Sequence, residues 1–163
     1  MALSRFNVGD HIVHPAHGVG QIVEIEEKQF SEKGADLYYK VASAKRTIWI
    51  PVEANEVELR RVTAKNELDR YRKLLKSPPV PLEKNHHRRH LALINRLKQG
   101  SFQILCEIVR DLTAWGRRKP LGRTDATTLQ KTQQSLYQEW AKAAGISTLE
   151  AIKEIDSLLL ITR

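Results

Sequence analysis

Between residues 10 and 61 the apolar positions fall in short β-branched and aromatic runs: His11-Ile12-Val13-His14, Gly20 to Glu26, Leu37 to Val41 and Thr47 to Ile50. Pro15, Gly18, Gly34 and Ala44-Lys45 separate them, a pattern that predicts the strands of a small antiparallel sheet. In Gln21-Ile22-Val23-Glu24-Ile25-Glu26 and Lys40-Val41-Ala42 polar and apolar residues partly alternate, so one face is expected on a core and the other in water. A sheet this small must curl into a barrel or lean on a neighbour. An edge left open is a template on which another protein can add a strand.

After Val62 the period lengthens to that of helices. Leu68, Tyr71 and Leu75 share one face of a helix predicted over residues 64–76, which Ser77-Pro78-Pro79-Val80-Pro81 stops as a stiff spacer. A second helix is predicted over residues 83–98, with Leu91, Ile94 and Leu97 inward and Gly100 at its end. Phe102, Leu105, Ile108, Val109, Leu112 and Trp115 mark a third, capped by Ser101 and closed by Gly116. Leu129, Leu136, Tyr137 and Trp140 mark a fourth that ends at Gly145, and Ser147-Thr148-Leu149-Glu150 reads as the capping box of a fifth with Ile152, Ile155 and Leu159. The expected architecture is α+β, a small antiparallel sheet or barrel in residues 1–62 followed by a bundle of about five helices in residues 63–163. No repeat of fixed period and no low-complexity tract is present.

Composition narrows the class. With 163 residues, 41% apolar and 28% charged, the chain can bury a core. The apolar stretch Leu158 to Ile161 is far short of the roughly 20 residues that span a bilayer, and Met1 to Asp10 has no continuous apolar segment of the secretory type. One cysteine, Cys106, permits no internal disulfide and no Cys-based zinc cage, so a cytoplasmic location is expected, with no membrane partner. Residues 1–62 carry 8 Lys+Arg and 9 Asp+Glu, a net −1, whereas residues 63–163 carry 19 and 10, a net +9. A polyanion would therefore touch the second part, and the first would seek something else.

The most basic stretch, residues 84–98, holds five Lys+Arg and no acid. On a helix Arg88, Arg89 and Arg96 cannot all face the core, so cations and imidazoles project into solvent. Free N–H groups at the helix start, with Lys84, Arg88 and Arg89, suit phosphate oxygens. Cations there oppose the helix dipole by about 0.3–1 kcal/mol each, a cost that an anionic ligand offsets. Glu83, His86 and His90 have the spacing of one helical face, but no His-Glu-x-x-His pair, Cys ligand or second carboxylate accompanies them, and no metal or other cofactor is expected. On a strand His11 and His14 face opposite sides, and Pro15 redirects the chain before His17, so the three read as structural. Gly18-Val19-Gly20 lacks the third glycine of a dinucleotide loop, no Gly-x-Ser-x-Gly elbow occurs, and Cys106 lies at an apolar position. No catalytic residues and no small-molecule substrate are expected. Trp49 stands between Ile48 and Ile50; if these face the core, Trp49 is outside, where an aromatic near Arg46 fits a protein-contact anchor or a second small core formed against the helical part.

Phe6-x-x-Gly9-Asp10-x-Ile12-Val13-His14-Pro15-x-His17-Gly18-Val19-Gly20-x-Ile22 resembles the start of the RNA-polymerase-interacting domain of the CarD/CdnL regulators, which also occurs in transcription-repair coupling factors. Ile50-Pro51-Val52-Glu53 is similar to that family's strand-end Val-Pro-x-Glu, and the helical part from Leu68 through Leu160 fits the C-terminal domain of stand-alone members. The resemblance implies a Tudor-like β domain that binds a lobe of the bacterial RNA polymerase β subunit, with Lys28, Arg46 and Trp49 on the polymerase-facing side. It implies a helical domain that contacts promoter DNA at the upstream edge of the melted region and stabilises the open complex without reading an operator. Two positions depart from the family pattern: Trp49 replaces a basic residue, and His86 stands where a minor-groove Trp is expected two residues before an Arg, with Arg88 and Arg89 retained. An imidazole buries less apolar area than an indole, so DNA contact through Lys84, His86, Arg88 and Arg89 is expected with a weaker or pH-dependent wedge. Rival readings are a protein-only adaptor whose basic helix meets an acidic protein surface, and a metal-dependent hydrolase built on Glu83, His86 and His90.

Overall fold

The computed structural model describes residues 5–31, 34–53 and 59–161. The chain divides into two compact units, residues 1–62 and 63–163.

The first unit is a five-stranded antiparallel sheet in the order β4-β3-β2-β1-β5, with β1 His11–His14, β2 Gly18–Ser31, β3 Gly34–Ala42, β4 Thr47–Pro51 and β5 Arg60–Arg61. The four expected runs all become strands. Gly18 and Gly34, expected as separators, are instead the first residues of β2 and β3, and the polar pair Arg60-Arg61 adds a fifth strand that hydrophobic patterning does not reveal. Phe6, Ile12, Ile22, Tyr39, Val41, Ile50 and Leu59 form the core, with Ile25, Ile48 and Val52 against it. Ile22 and Ile25 are three apart, a spacing that a flat strand would send to opposite faces. A register shift between Ile22 and Glu24 resolves this: Ile22 pairs with Val41 and Glu24 with Lys40, which leaves Val23 exposed. Gly20 permits the close approach beside it, since a Cβ there would lie 2.5 Å from Val41 Cγ1. The buried Tyr39 hydroxyl accepts hydrogen bonds from the Arg5 and Phe6 backbone N–H groups, at 2.9 and 3.3 Å, and so fastens the segment before β1.

The second unit is helical: a 3-10 turn at Lys65–Glu67, then α1 Leu68–Lys76, α2 His86–Leu97, α3 Phe102–Arg118, α4 Arg123–Ala144 and α5 Thr148–Ile161. Its main core joins α1, α3, α4 and α5 through Leu68, Tyr71, Leu75, Phe102, Cys106, Val109, Leu136, Trp140, Ile155 and Leu159. Leu93 on α2 meets Ile108 and Leu112 on α3 in a smaller cluster. The capping box of α5 forms as expected, with Ser147 N–H donating to Glu150 Oε1 at 3.2 Å and Glu150 N–H to Ser147 Oγ at 3.1 Å. Gly145 ends α4 in the left-handed region, φ 71°.

Three expectations are corrected. The third helix does not close at Gly116 but runs to Arg118, because Gly116 lies against the Leu121 side chain, where a small residue is needed for packing rather than for a stop. The second begins at His86, not residue 83, since Asn85 takes the cap position and accepts from Arg88 N–H at 3.0 Å. Its inward row is Arg89, Leu93 and Leu97, whereas Leu91 faces solvent at 49% exposure. The proline segment ahead of it is pinned by a buried pair on α3: Arg110 donates to Asp111 at 2.9 Å and to Ser77 Oγ at 2.7 Å, and Val80 N–H donates to Asp111 at 3.0 Å.

Candidate functional site

Two surfaces, one on each unit, collect the residues that the sequence singles out. On the sheet, Ile50 is buried and Ile48 packs on the core, so Trp49 points the other way and is 38% exposed. The β3–β4 register sets Lys40 opposite Trp49, and the β2–β3 register sets Glu24 opposite Lys40. The Trp49 indole N–H donates to a Glu26 carboxylate oxygen. Lys28 Nζ lies 5.4 Å and Lys40 Nζ 6.0 Å from the indole centroid, within range of a cation–π attraction, while Lys28 also approaches Glu26 at 3.5 Å. The indole bond, with the Lys28 ammonium adding to it, holds the Glu26 carboxyl below its ordinary pKa.

The structure therefore brings Lys28 and Trp49 together. Arg46 sits exposed in the β3–β4 turn, where its backbone N–H donates to Ser43 Oγ at 3.3 Å and its carbonyl accepts from Ser43 N–H at 2.9 Å. Glu26 and Lys40 were missed by sequence reasoning. A hairpin count would have found Lys40, since a turn that pairs Ala42 with Thr47 must pair residue 40 with residue 49.

On the second unit Lys84, His86, His87 and Arg88 are exposed at the start of α2, and the first turn of that helix holds no acid. Among the described residues no carboxylate pairs with Lys84 or Arg88, whereas Arg96 is committed to Glu107 at 2.9 Å. Arg89 departs from the expectation of a DNA-facing cation. Its side chain is 9% exposed and its guanidinium pairs with Asp125 of α4 at 2.8 Å, below the Trp115 ring at 5.3 Å. A helix start at His86 turns residue 89 inward with Leu93, and an arginine is tolerated there because its N–H donors find acceptors.

Glu83 does not share a helical face with His86 and His90. It precedes the helix, and its carboxylate accepts from Asn85 N–H at 3.3 Å. Among the described residues no group of three or more His, Cys, Asp or Glu is arranged to hold a metal ion. Cys106 is fully buried. His14 Nδ1 accepts from the Ala16 and His17 backbone N–H groups at 2.9 and 3.2 Å, and burial, with His17 nearby, lowers its pKa. That use of the lone pair makes it a turn-forming residue. No helix among the described residues is long and apolar enough to cross a membrane.

The sheet thus presents an exposed aromatic flanked by charge, and the helical unit a basic helix start. The chain belongs to the CarD family: residues 6–63 match the CarD-like/TRCF RID domain and residues 70–156 the CarD C-terminal domain. It is similar to the Bacillus subtilis (strain 168) protein named "Putative transcription factor YdeB", with 28% identity over 144 residues that cover 87% of this chain and 94% of that protein. It is a transcription regulator that interacts with RNA polymerase.

Proposed function

We propose that the sheet unit docks on the polymerase β subunit while the helical unit grips promoter DNA beside it, at the upstream edge of the bubble, and thereby modulates open-complex stability. The observation that carries this reading is the charge partition, −1 in residues 1–62 and +9 in residues 63–163, with Lys84 and Arg88 exposed beside the start of α2 and, among the described residues, without a carboxylate partner. Trp49, Lys28 and Arg46 supply the protein contact. Among the described residues β4 is also an edge strand, so one side of its backbone is open to an added strand. Tethering to polymerase places the helical unit at an effective concentration of about millimolar near the promoter, so weak DNA affinity suffices.

Lys84, His86 and Arg88 contact phosphate and the minor groove without reading base sequence. Two or three phosphate contacts give a slope of about −2 to −3 for log K against log salt. Titration of the full chain with a fluorescent duplex at several salt concentrations measures it, and affinity indifferent to salt contradicts the DNA reading. A wedge of larger apolar area at residue 86 lengthens open-complex lifetime. His86→Trp is therefore expected to slow promoter-complex decay in a competitor-challenge assay; an unchanged lifetime on every promoter tested removes the wedge from the account.

A further inference from the structure

We propose that Arg89 is a positioning residue that fixes the ring of His86 with Nδ1 as acceptor, so that the imidazole presents Nε2–H as a hydrogen-bond donor to DNA. This rests on the DNA reading above. A guanidinium has five N–H donors and no acceptor. In this structure each of its three nitrogens has a partner. Nε–H donates to Asp125 Oδ2 at 2.9 Å, and Nη2 forms an ion pair with the same oxygen at 2.8 Å. The two Nη1 hydrogens reach the carbonyls of Glu83 at 3.1 Å and Lys84 at 3.2 Å. Nη2 also lies 3.4 Å from His86 Nδ1. Because the arginine can only donate, this contact requires a lone pair on Nδ1, and a neutral imidazole then carries its proton on Nε2.

The partner chemistry follows. Phosphate oxygens accept, and the minor groove edge of an A·T pair offers only the acceptors A N3 and T O2. A ring held with Nε2–H outward matches both, while the other tautomer would turn a lone pair toward them. The same guanidinium clamps the carbonyls of Glu83 and Lys84, so the loop carrying Lys84 and the ring of His86 are set by one buried group anchored on α4. The sequence places Arg89 among the DNA contacts; the geometry assigns it a place behind them.

The test begins with the full chain free of DNA. Long-range 1H–15N correlation of the His86 ring is expected to show one dominant neutral tautomer, protonated at Nε2, and Arg89→Lys, which keeps the charge but not the fork, is expected to mix the two tautomers. A wild-type ring protonated chiefly at Nδ1, or a tautomer ratio unmoved by Arg89→Lys, overturns the assignment; the wild-type spectrum decides even if the variant fails to fold. DNA affinity is read separately. His86→Gln, which keeps a donor at the distal position, should stay within about twofold of wild type, and His86→Phe should lose about fivefold, the worth of one hydrogen bond. Wild-type tautomer as expected with undiminished binding by His86→Phe contradicts the donor role of residue 86, while leaving the Arg89 contact in place.

Discussion

Trp49 has its indole N–H committed to Glu26 and two ammonium groups near its ring, so its large apolar surface is held in one orientation before any partner arrives. A preorganised aromatic at the centre of a contact is the usual anchor of an interface, and truncating one costs about 2 kcal/mol or more. Trp49→Ala is therefore expected to weaken polymerase β-lobe binding at least thirtyfold by calorimetry, with the fold retained by circular dichroism. Glu26 reports the same contact through its titration. Its folded pKa lies below the ordinary glutamate value, so the stabilisation is present above the unfolded pKa and is lost as pH falls through the lower folded value. Carboxyl NMR titration should show Glu26 moving back up in Trp49→Phe, which keeps the ring and removes the donor; an unmoved midpoint contradicts the assigned hydrogen bond. The outward direction of Trp49 was legible in the sequence from its two isoleucine neighbours. Its partner Glu26 was not, because the two are 23 residues apart and meet only through β3.

At the scale of elements, α2 shows why a helical stripe can be misread by one face. Leu91, Ile94 and Leu97 satisfy the spacing, yet the row that packs inward is Arg89, Leu93 and Leu97. Periodicity weighs apolar side chains and has no means to credit an arginine whose charge is answered by Asp125, 36 residues on. The helix start was misplaced for a related reason: Glu83 and Lys84 are good helix formers, and Asn85 decides the boundary by capping Arg88. Where local chemistry is complete in the sequence, as in the Ser147 to Glu150 box or the Gly145 stop, the ends are legible. The buried pair yields an energetic prediction. Asp125→Ala leaves the Arg89 guanidinium buried without its counterion and is expected to destabilise the chain by about 3–5 kcal/mol in urea unfolding. A loss below about 1 kcal/mol contradicts the pair's role in holding α2 to α4.

For the whole molecule, the separation of charge between units is the feature that sequence arithmetic conveyed best, since it needs no geometry. Fold class was equally legible: the change of period at Val62 divides strand runs from helical stripes, and the compact units divide there too. Which cations of residues 84–98 remain free was not legible, because pairing is a tertiary property; among the described residues it removes Arg89 and Arg96 and leaves Lys84, Arg88 and Lys98. Docking through one unit and DNA contact through the other predicts that the full chain binds promoter-bound polymerase more tightly than free polymerase, and that the two increments are separable by mutation.

The most direct measurement of that claim is the affinity of the full-length chain for free polymerase and for the polymerase–promoter open complex, for wild type, Trp49→Ala and the double variant Lys84→Glu/Arg88→Glu. Trp49→Ala is expected to lose binding to both. The double variant is expected to keep its affinity for free polymerase and to lose the additional affinity for the open complex. A double variant that retains the full gain on promoter DNA contradicts DNA contact by α2 and its preceding loop, and points instead to an adaptor that meets only protein.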